Sequence, residues 1–176
     1  HQIIHEIDND IMRLNKITKR FSEIGSKTKL KVENLNEILN TILVYLEKRN
    51  SSLINFEFYP SNDDIKIKIN KTLIEWVIEN IVKNAIDSMS GNGKVQIKII
   101  KENNQAKILI SDNGSGISNS LKNKIFDEGF TSKENGWGLG LSFSKRIMTV
   151  YHEGNIKVKN STLGKGTTFE LTFPIN

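Results

Sequence analysis

The sequence predicts an α+β module preceded by one long amphipathic helix. Three observations carry this reading. Apolar residues recur at steps of three or four through the first 24 residues. Beyond residue 30, short alternating segments are interleaved with helical stripes. From Asp112 to Leu139 the chain is rich in Gly, Ser and Asn and has little periodicity.

Ile4, Ile7, Ile11, Leu14, Ile17, Phe21 and Ile24 form one continuous stripe, with Glu6, Asp8, Asp10, Arg13, Lys16, Lys19 and Arg20 on the other faces. That is an amphipathic helix of about six turns whose stripe needs a partner, either its own domain or a second helix in a dimer. Residues 25–29, Gly-Ser-Lys-Thr-Lys, read as a linker. Leu30 to Leu35 fits a short strand. Asn36 is a candidate cap for a helix buried through Ile38, Leu39, Ile42, Leu43 and Leu46. Residues 54–58 and 65–69 alternate like strands, and Asn70 can cap a long helix from Lys71 to about Met89. Strands at 95–100 and 106–111 are joined by the turn Glu102-Asn103-Asn104-Gln105. After the long loop come a helix from Leu139 to Tyr151 and strands near 155–160 and 167–173.

Composition narrows the chemistry. The 176 residues are 37% hydrophobic and 26% charged, as in ordinary soluble domains, and no apolar run is long enough to span a bilayer. The absence of cysteine excludes disulfides, Cys-based zinc sites and thiol nucleophiles, and three histidines are too few and scattered for a multi-His metal site. The net charge of +5 is compatible with a polyanion. The lysines are spread out without aromatic interleaving, so charge alone is a weak argument for nucleic acid, and a phosphate-bearing small ligand suits it equally well. The N-terminus carries acids and is not a signal peptide; a first residue other than Met suggests a piece of a longer chain.

Four local patterns carry chemistry. Asn80 and Asn84 lie four apart and share a face of the long helix, where Asn is disfavoured. Their carboxamide oxygens are hard donors suited to Mg²⁺ held jointly with phosphates, although two solvated asparagines would read the same way. Asp112-Asn113-Gly114-Ser115-Gly116-Ile117 follows a strand; its carboxylate can accept from an exocyclic amine, and it is also an ordinary Asx/Gly turn. Gly136-Trp137-Gly138-Leu139-Gly140-Leu141 opens a helix and bares backbone N–H groups to an anion, with neither Rossmann nor Walker spacing. Gly164-Lys165-Gly166-Thr167 precedes the last strand and alone is a hairpin turn.

In this order and in these slots, the patterns resemble the N, G1, G2 and G3 boxes of the GHKL ATPase superfamily. Residues 125–133, Ile-Phe-Asp-Glu-Gly-Phe-Thr-Ser-Lys, look like the F box of sensor histidine kinases. The resemblance covers residues 31–176. It implies a two-layer sandwich of a mixed, largely antiparallel sheet and helices, the Bergerat ATP-binding fold, with ATP under a mobile loop. Domain limits of 1–29, part of a dimerisation hairpin plus linker, and 30–176, the catalytic domain, follow from it. By resemblance Asn80 and Asn84 coordinate Mg²⁺ or orient phosphates, and together with Lys133, reaching from the loop, form the catalytic set. Asp112 reads adenine, with Gly114 and Gly116 shaping its pocket. Gly136, Gly138, Leu139 and Gly140 offer backbone to the phosphates. Ile117, Leu141 and Thr167 complete the nucleotide-binding set, and Phe126 latches the loop to the core. Trp137 departs from the small or hydroxyl residue expected there, which leaves open whether it covers the nucleotide or restricts the loop.

Hydrolases of the superfamily typically place Glu at the first N-box position as base for water; this chain has Asn80. That fits transfer of the γ-phosphoryl group to protein. Residues 13–24 then resemble the second helix of a histidine kinase dimerisation hairpin. The sequence His5-Glu6-Ile7-Asp8-Asn9 has the look of an H box, but no turn signal or return helix lies between it and Gly25, and Asp10 stands where Pro is expected. The phosphoacceptor is therefore expected outside these residues. The expected function is the catalytic domain of a two-component sensor histidine kinase using ATP and Mg²⁺. Its expected partners are its own dimerisation domain, a second copy and a response regulator. It is expected in the cytoplasm, the full-length protein being open to anchoring in the inner membrane. A GHKL-type ATPase or ATP-gated clamp, or a degenerate nucleotide-binding scaffold, are the alternatives. His152, near a helix end, is expected to be structural or on the surface.

Overall fold

A computed structural model of the chain describes residues 29–50, 52–133 and 136–175. The chain divides into a unit His1–Leu30 and a unit Lys31–Asn176. The N-terminal stripe, His1, His5 and residues 25–28 of the linker lie outside the described residues.

The second unit begins with strand β1 (Lys31–Asn34), helix α1 (Leu35–Arg49), β2 (Ile54–Tyr59), β3 (Lys66–Ile69) and helix α2 (Lys71–Ser88). β4 (Gly93–Glu102) and β5 (Gln105–Asp112) follow. After the long loop, which holds a 3-10 turn at Lys124–Phe126, come α3 (Gly140–Arg146), β6 (Asn155–Thr162) and β7 (Gly166–Pro174). One five-stranded sheet has the order β2-β4-β5-β7-β6, and β1 and β3 make a separate antiparallel pair. β2 runs parallel to β4, with Ile54 opposite Gly93; the other pairs of the large sheet are antiparallel. The expected mixed, largely antiparallel sheet is thus observed.

Period-two patterning decides which face the helices cover. Val95, Ile97 and Ile99 of β4, Ala106, Ile108 and Ile110 of β5, and Phe169, Leu171 and Phe173 of β7 are all buried. Against them α2 lays Leu73, Ile74, Val77, Ile78, Ile81, Val82 and Ala85, a stripe at helical spacing. Each Leu, Ile, Val or Phe among them contributes about 1.5–3 kcal/mol by leaving water. The opposite face is polar. There Glu57 accepts from Gln96, Tyr59 and Lys94, which hold its carboxyl down at about 2. Glu170, only 4% exposed, lies between Lys157 and Lys159 at 2.9 and 3.3 Å. Two apart on β6, both lysines reach one carboxylate, and the pairing with β7 shifts register between Val158 and Asn160.

The hairpin turn at 102–105 forms as expected, with Asn103 and Asn104 both at positive φ, as a tight two-residue turn requires. Asn70 caps α2, accepting from the Leu73 N–H at 3.0 Å. Two expectations are corrected. The cap of α1 is Asn34, which accepts from the Glu37 N–H, because pairing with β3 keeps the chain extended only as far as Asn34. Asn36 sits inside the helix and exchanges two bonds with the Ser61 backbone, at 2.9 and 3.0 Å. The helix expected over 139–151 is α-helical only to Arg146 and then widens into a π turn, Ile147–Tyr151. His152 closes that turn. It is 3% exposed; its Nε2 accepts from the Asn70 N–H at 3.0 Å, so Nδ1 carries the proton and donates to the Ile147 carbonyl at 2.9 Å. Burial lowers its pKa, and the residue is structural. Among the described residues no helix is long and apolar enough to cross a membrane.

Candidate functional site

Asp112 ends β5, opposite Val95. One carboxylate oxygen, Oδ1, accepts from the Gly114 N–H at 2.9 Å and the Thr167 N–H at 3.2 Å, and lies 3.5 Å from the Ser88 hydroxyl, whose proton is shared with the nearer Ala85 carbonyl at 2.7 Å. Three segments distant in sequence thereby converge on one atom: the turn after β5, the start of β7 and the end of α2. Oδ2 is the oxygen left to meet a ligand. Burial pushes the carboxyl upward, the bonds from Gly114, Thr167 and Ser88 pull it down, and the net shift is upward. Gly166 is required by geometry: at φ +100° a Cβ would lie 1.9 Å from the Asp112 carbonyl oxygen. The Ile117 N–H donates to Ser161 Oγ at 2.7 Å, and the Thr167 hydroxyl shares a bond with the same oxygen at 2.9 Å. Gly116 passes against the Thr162 carbonyl.

The other end of the site is built from side chains. Asn80, Asn84 and Ser88 are spaced four apart on α2 and form one polar line beside its apolar stripe. At 1.5 Å per residue, the line from Asn80 to Ser88 is roughly 12 Å long. Ser88 touches Asp112 at one end. At the other, Asn80 Nδ2 donates to Ser144 Oγ of α3 at 3.0 Å. The Asn80 carboxamide lies so close to Gly140 that a Cβ there would be 2.5 Å from Oδ1. In between, Lys133 Nζ donates to Asn84 Oδ1 at 2.9 Å and to Asp87 Oδ2 at 2.6 Å. This pair is open to solvent, with side chains 45% and 39% exposed.

The loop between them is pinned at a few points. Phe126 is buried and meets the ring of Phe169 edge-on at 6.4 Å, while the Lys145 ammonium lies over its ring, 5.8 Å from the centroid. The Gly136 N–H donates to the Lys133 carbonyl, and Gly129 and Gly138 pair backbone to backbone. Leu139 stands at the N-cap of α3, Leu141 is half-buried, and Trp137 is 66% exposed. Sequence reading missed Ser88, Asp87 and Ser144. Ser88 was findable, as the next step of the four-residue ladder of Asn80 and Asn84; the other two depend on partners 46 and 64 positions away.

The arrangement holds a carboxylate at one end of a helical ruler and amides with a cation at the other. It suits an extended ligand with a hydrogen-bonding base and a polyphosphate tail. Asn84 Oδ1 accepts from the Lys133 ammonium; as a carboxamide oxygen it is a hard donor of the kind Mg²⁺ takes, and a metal there would displace the lysine.

A family model described as histidine kinase-, DNA gyrase B- and HSP90-like ATPase matches residues 61–176. The signal transduction histidine-protein kinase AtoS of Escherichia coli strain K12 is 34% identical over 178 residues, 99% of this chain and 28% of that protein. The chain thus spans under a third of that relative's length. Among solved structures, the catalytic domain of histidine kinase ThkA superposes with a TM-score of 0.75 at 32% identity, covering 84% of this chain and 96% of that one. ThkA in complex with response regulator protein TrrA superposes with a TM-score of 0.78 at 30% identity, covering this whole chain and 51% of that one.

Proposed function

Because the chain belongs to the histidine kinase-, DNA gyrase B- and HSP90-like ATPase family, we propose that it is the ATP-binding catalytic module of a sensor histidine kinase. The observation that carries this is the line Asn80–Asn84–Ser88 on α2, ending at Asp112, with no carboxylate at position 80. An amide does not take a proton from water near neutral pH, so water lacks a general base at that position. Transfer to a better nucleophile is favoured instead. A histidine nitrogen attacks the γ-phosphorus, a P–N bond forms, the bond to the bridging oxygen breaks and ADP leaves.

In this reading Asp112 Oδ2 accepts from the adenine amine. The backbone of Gly136, Gly138, Leu139 and Gly140 faces the phosphates, and Lys133 balances their charge. Asn80 and Asn84 would hold Mg²⁺, which would supply positive charge against the phosphates. Phe126 holds the loop down from beneath. The acceptor histidine sits on a dimerisation hairpin of the same protein or its second copy, and the phosphoryl group passes on to a response regulator. The need for ATP assigns the module to the cytoplasm.

The test is incubation with γ-labelled ATP and Mg²⁺, both of this chain and of a longer chain carrying the hairpin. Acid-labile label on a hairpin histidine of the longer chain is the expected result. Label on Ser or Thr, or fast phosphate release without any acceptor, would overturn the histidine kinase reading.

A further inference from the structure

We propose that Ser144 is a positioning residue: its buried hydroxyl fixes which end of the Asn80 carboxamide faces the metal and phosphates. The inference rests on the nucleotide reading above and deepens it. Ser144 is 2% exposed, on the inner side of α3. Its hydroxyl has one proton, and that proton goes to the Gly140 carbonyl at 3.0 Å, one turn back. Toward Asn80, 3.0 Å away, the oxygen can therefore only accept. The amide must present Nδ2 to Ser144, and Oδ1 is turned to the opposite side.

This matters because an amide is nearly symmetrical in shape and opposite in charge at its two ends. Its terminal torsion is two-fold, so packing alone chooses weakly between the two orientations. The wall formed by Gly140 confines the amide plane, with Oδ1 and Nδ2 at 2.5 and 2.7 Å from where a Cβ would be. Two such similar distances do not distinguish oxygen from nitrogen. The Ser144 lone pair does. With oxygen outward, Asn80 offers a ligand to a cation; with nitrogen outward, it offers two N–H groups that a cation repels.

The experiment measures binding of adenylyl imidodiphosphate by calorimetry, once with Mg²⁺ and once with EDTA, alongside the melting temperature. Wild type is compared with Ser144→Ala, Ser144→Val and Ser144→Thr, and each with Asn80→Ala added. Val and Thr have the same shape, so any steric cost is common to both and only the hydroxyl differs. The Mg²⁺-dependent gain in affinity is expected to fall about two- to tenfold in the Ala and Val variants, the range of one hydrogen bond. Thr is expected to retain it, and affinity in EDTA is expected to hold in all three. In the Asn80→Ala background the serine substitutions are expected to have no further effect on the Mg²⁺ gain.

Equal losses in Mg²⁺ and EDTA, additive losses with Asn80→Ala, or identical behaviour of Val and Thr would overturn the positioning role. If wild type gains affinity with Mg²⁺ and Ser144→Ala gains as much, this inference alone falls. If wild type binds no nucleotide under either condition, the proposed function falls, and this inference with it.

Discussion

The two ends of the site are built by different means. At the Asp112 end, two of the three donors are backbone N–H groups, and they come from the turn after β5 and the start of β7, elements of one hydrogen-bonded sheet. At the Asn84 end, the cation arrives on the four-carbon stem of Lys133, a side chain that is 45% exposed. Backbone donors cannot be relocated without breaking the sheet, whereas an exposed lysine moves at little cost. In the proposed reading, the base would meet a carboxylate fixed by backbone groups, and the phosphates would meet an exposed lysine that can move at little cost.

The largest test of this contrast is Asp112→Asn. The Gly114 and Thr167 N–H groups require an acceptor at Oδ1, so the new carbonyl oxygen takes that place and the amide NH₂ lands at Oδ2. Donor then faces donor at the adenine amine. ATP affinity is expected to fall about 10- to 150-fold, from about 1.5–3 kcal/mol, with GTP affected far less. Titration calorimetry with both nucleotides checks it; an unchanged ATP affinity removes Asp112 from the base site.

Acidification should act at the same end. The Asp112 carboxyl is raised above its ordinary value, mainly by burial. ATP affinity should be level above that folded-state pKa and fall up to about tenfold per pH unit below it. Stability of the free protein carries the opposite sign. A raised carboxyl costs stability while ionised, and that cost is relieved as pH falls through the folded value toward the unfolded one. His152 opposes this over a higher window: its pKa is lowered by burial, so it removes stability as pH falls from its unfolded value, about 6.5, through its folded one. The difference in pH–stability curves between wild type and Asp112→Asn isolates the aspartate, since His152 is common to both.

Gly140→Ala attacks the other end. A Cβ 2.5 Å from Asn80 Oδ1 must displace the carboxamide. We expect a loss of about 1–2 kcal/mol, roughly tenfold, in Mg²⁺-dependent ATP affinity, within the range of overpacking effects, and an unchanged preference for ATP over GTP. A lost preference would mean that the two ends are not independent.

The smallest effect belongs to Lys133→Met. Its bonds to Asp87 and Asn84 are exposed, so the melting curve should shift by no more than about 0.5 kcal/mol. ATP should bind less than tenfold more weakly and AMP, which lacks the outer phosphates, equally well. A marked loss of stability would make the pair structural.

Much of this was legible before any coordinates. Strand alternation at 95–100 and 106–111 and the apolar stripe of α2 are local periodicities, and they hold in the folded chain. Asn80, Asn84, Asp112 and the glycine-rich turns stood out because each residue type is costly in a helix or needed in a turn. What misled was also local: Asn34 and Asn36 are both able caps, and the choice fell to the pairing of Asn34 with Lys66, which no window of neighbours contains. Trp137 remained ambiguous because exposure is a property of the surface around it; it is 66% exposed.

The sequence by itself determined the element types, the buried faces and the residue kinds available to the site, since periodicity and propensity act within a few residues. Only the tertiary structure decided that β2 runs parallel to β4, that Ser88 and Thr167 meet on one Asp112 oxygen, and that Ser144 turns the Asn80 amide. Each of these is a hydrogen bond between groups distant along the chain. Its partner is chosen by which atoms are left unpaired once the core has closed, because a buried donor or acceptor without a partner costs more than most single contacts contribute.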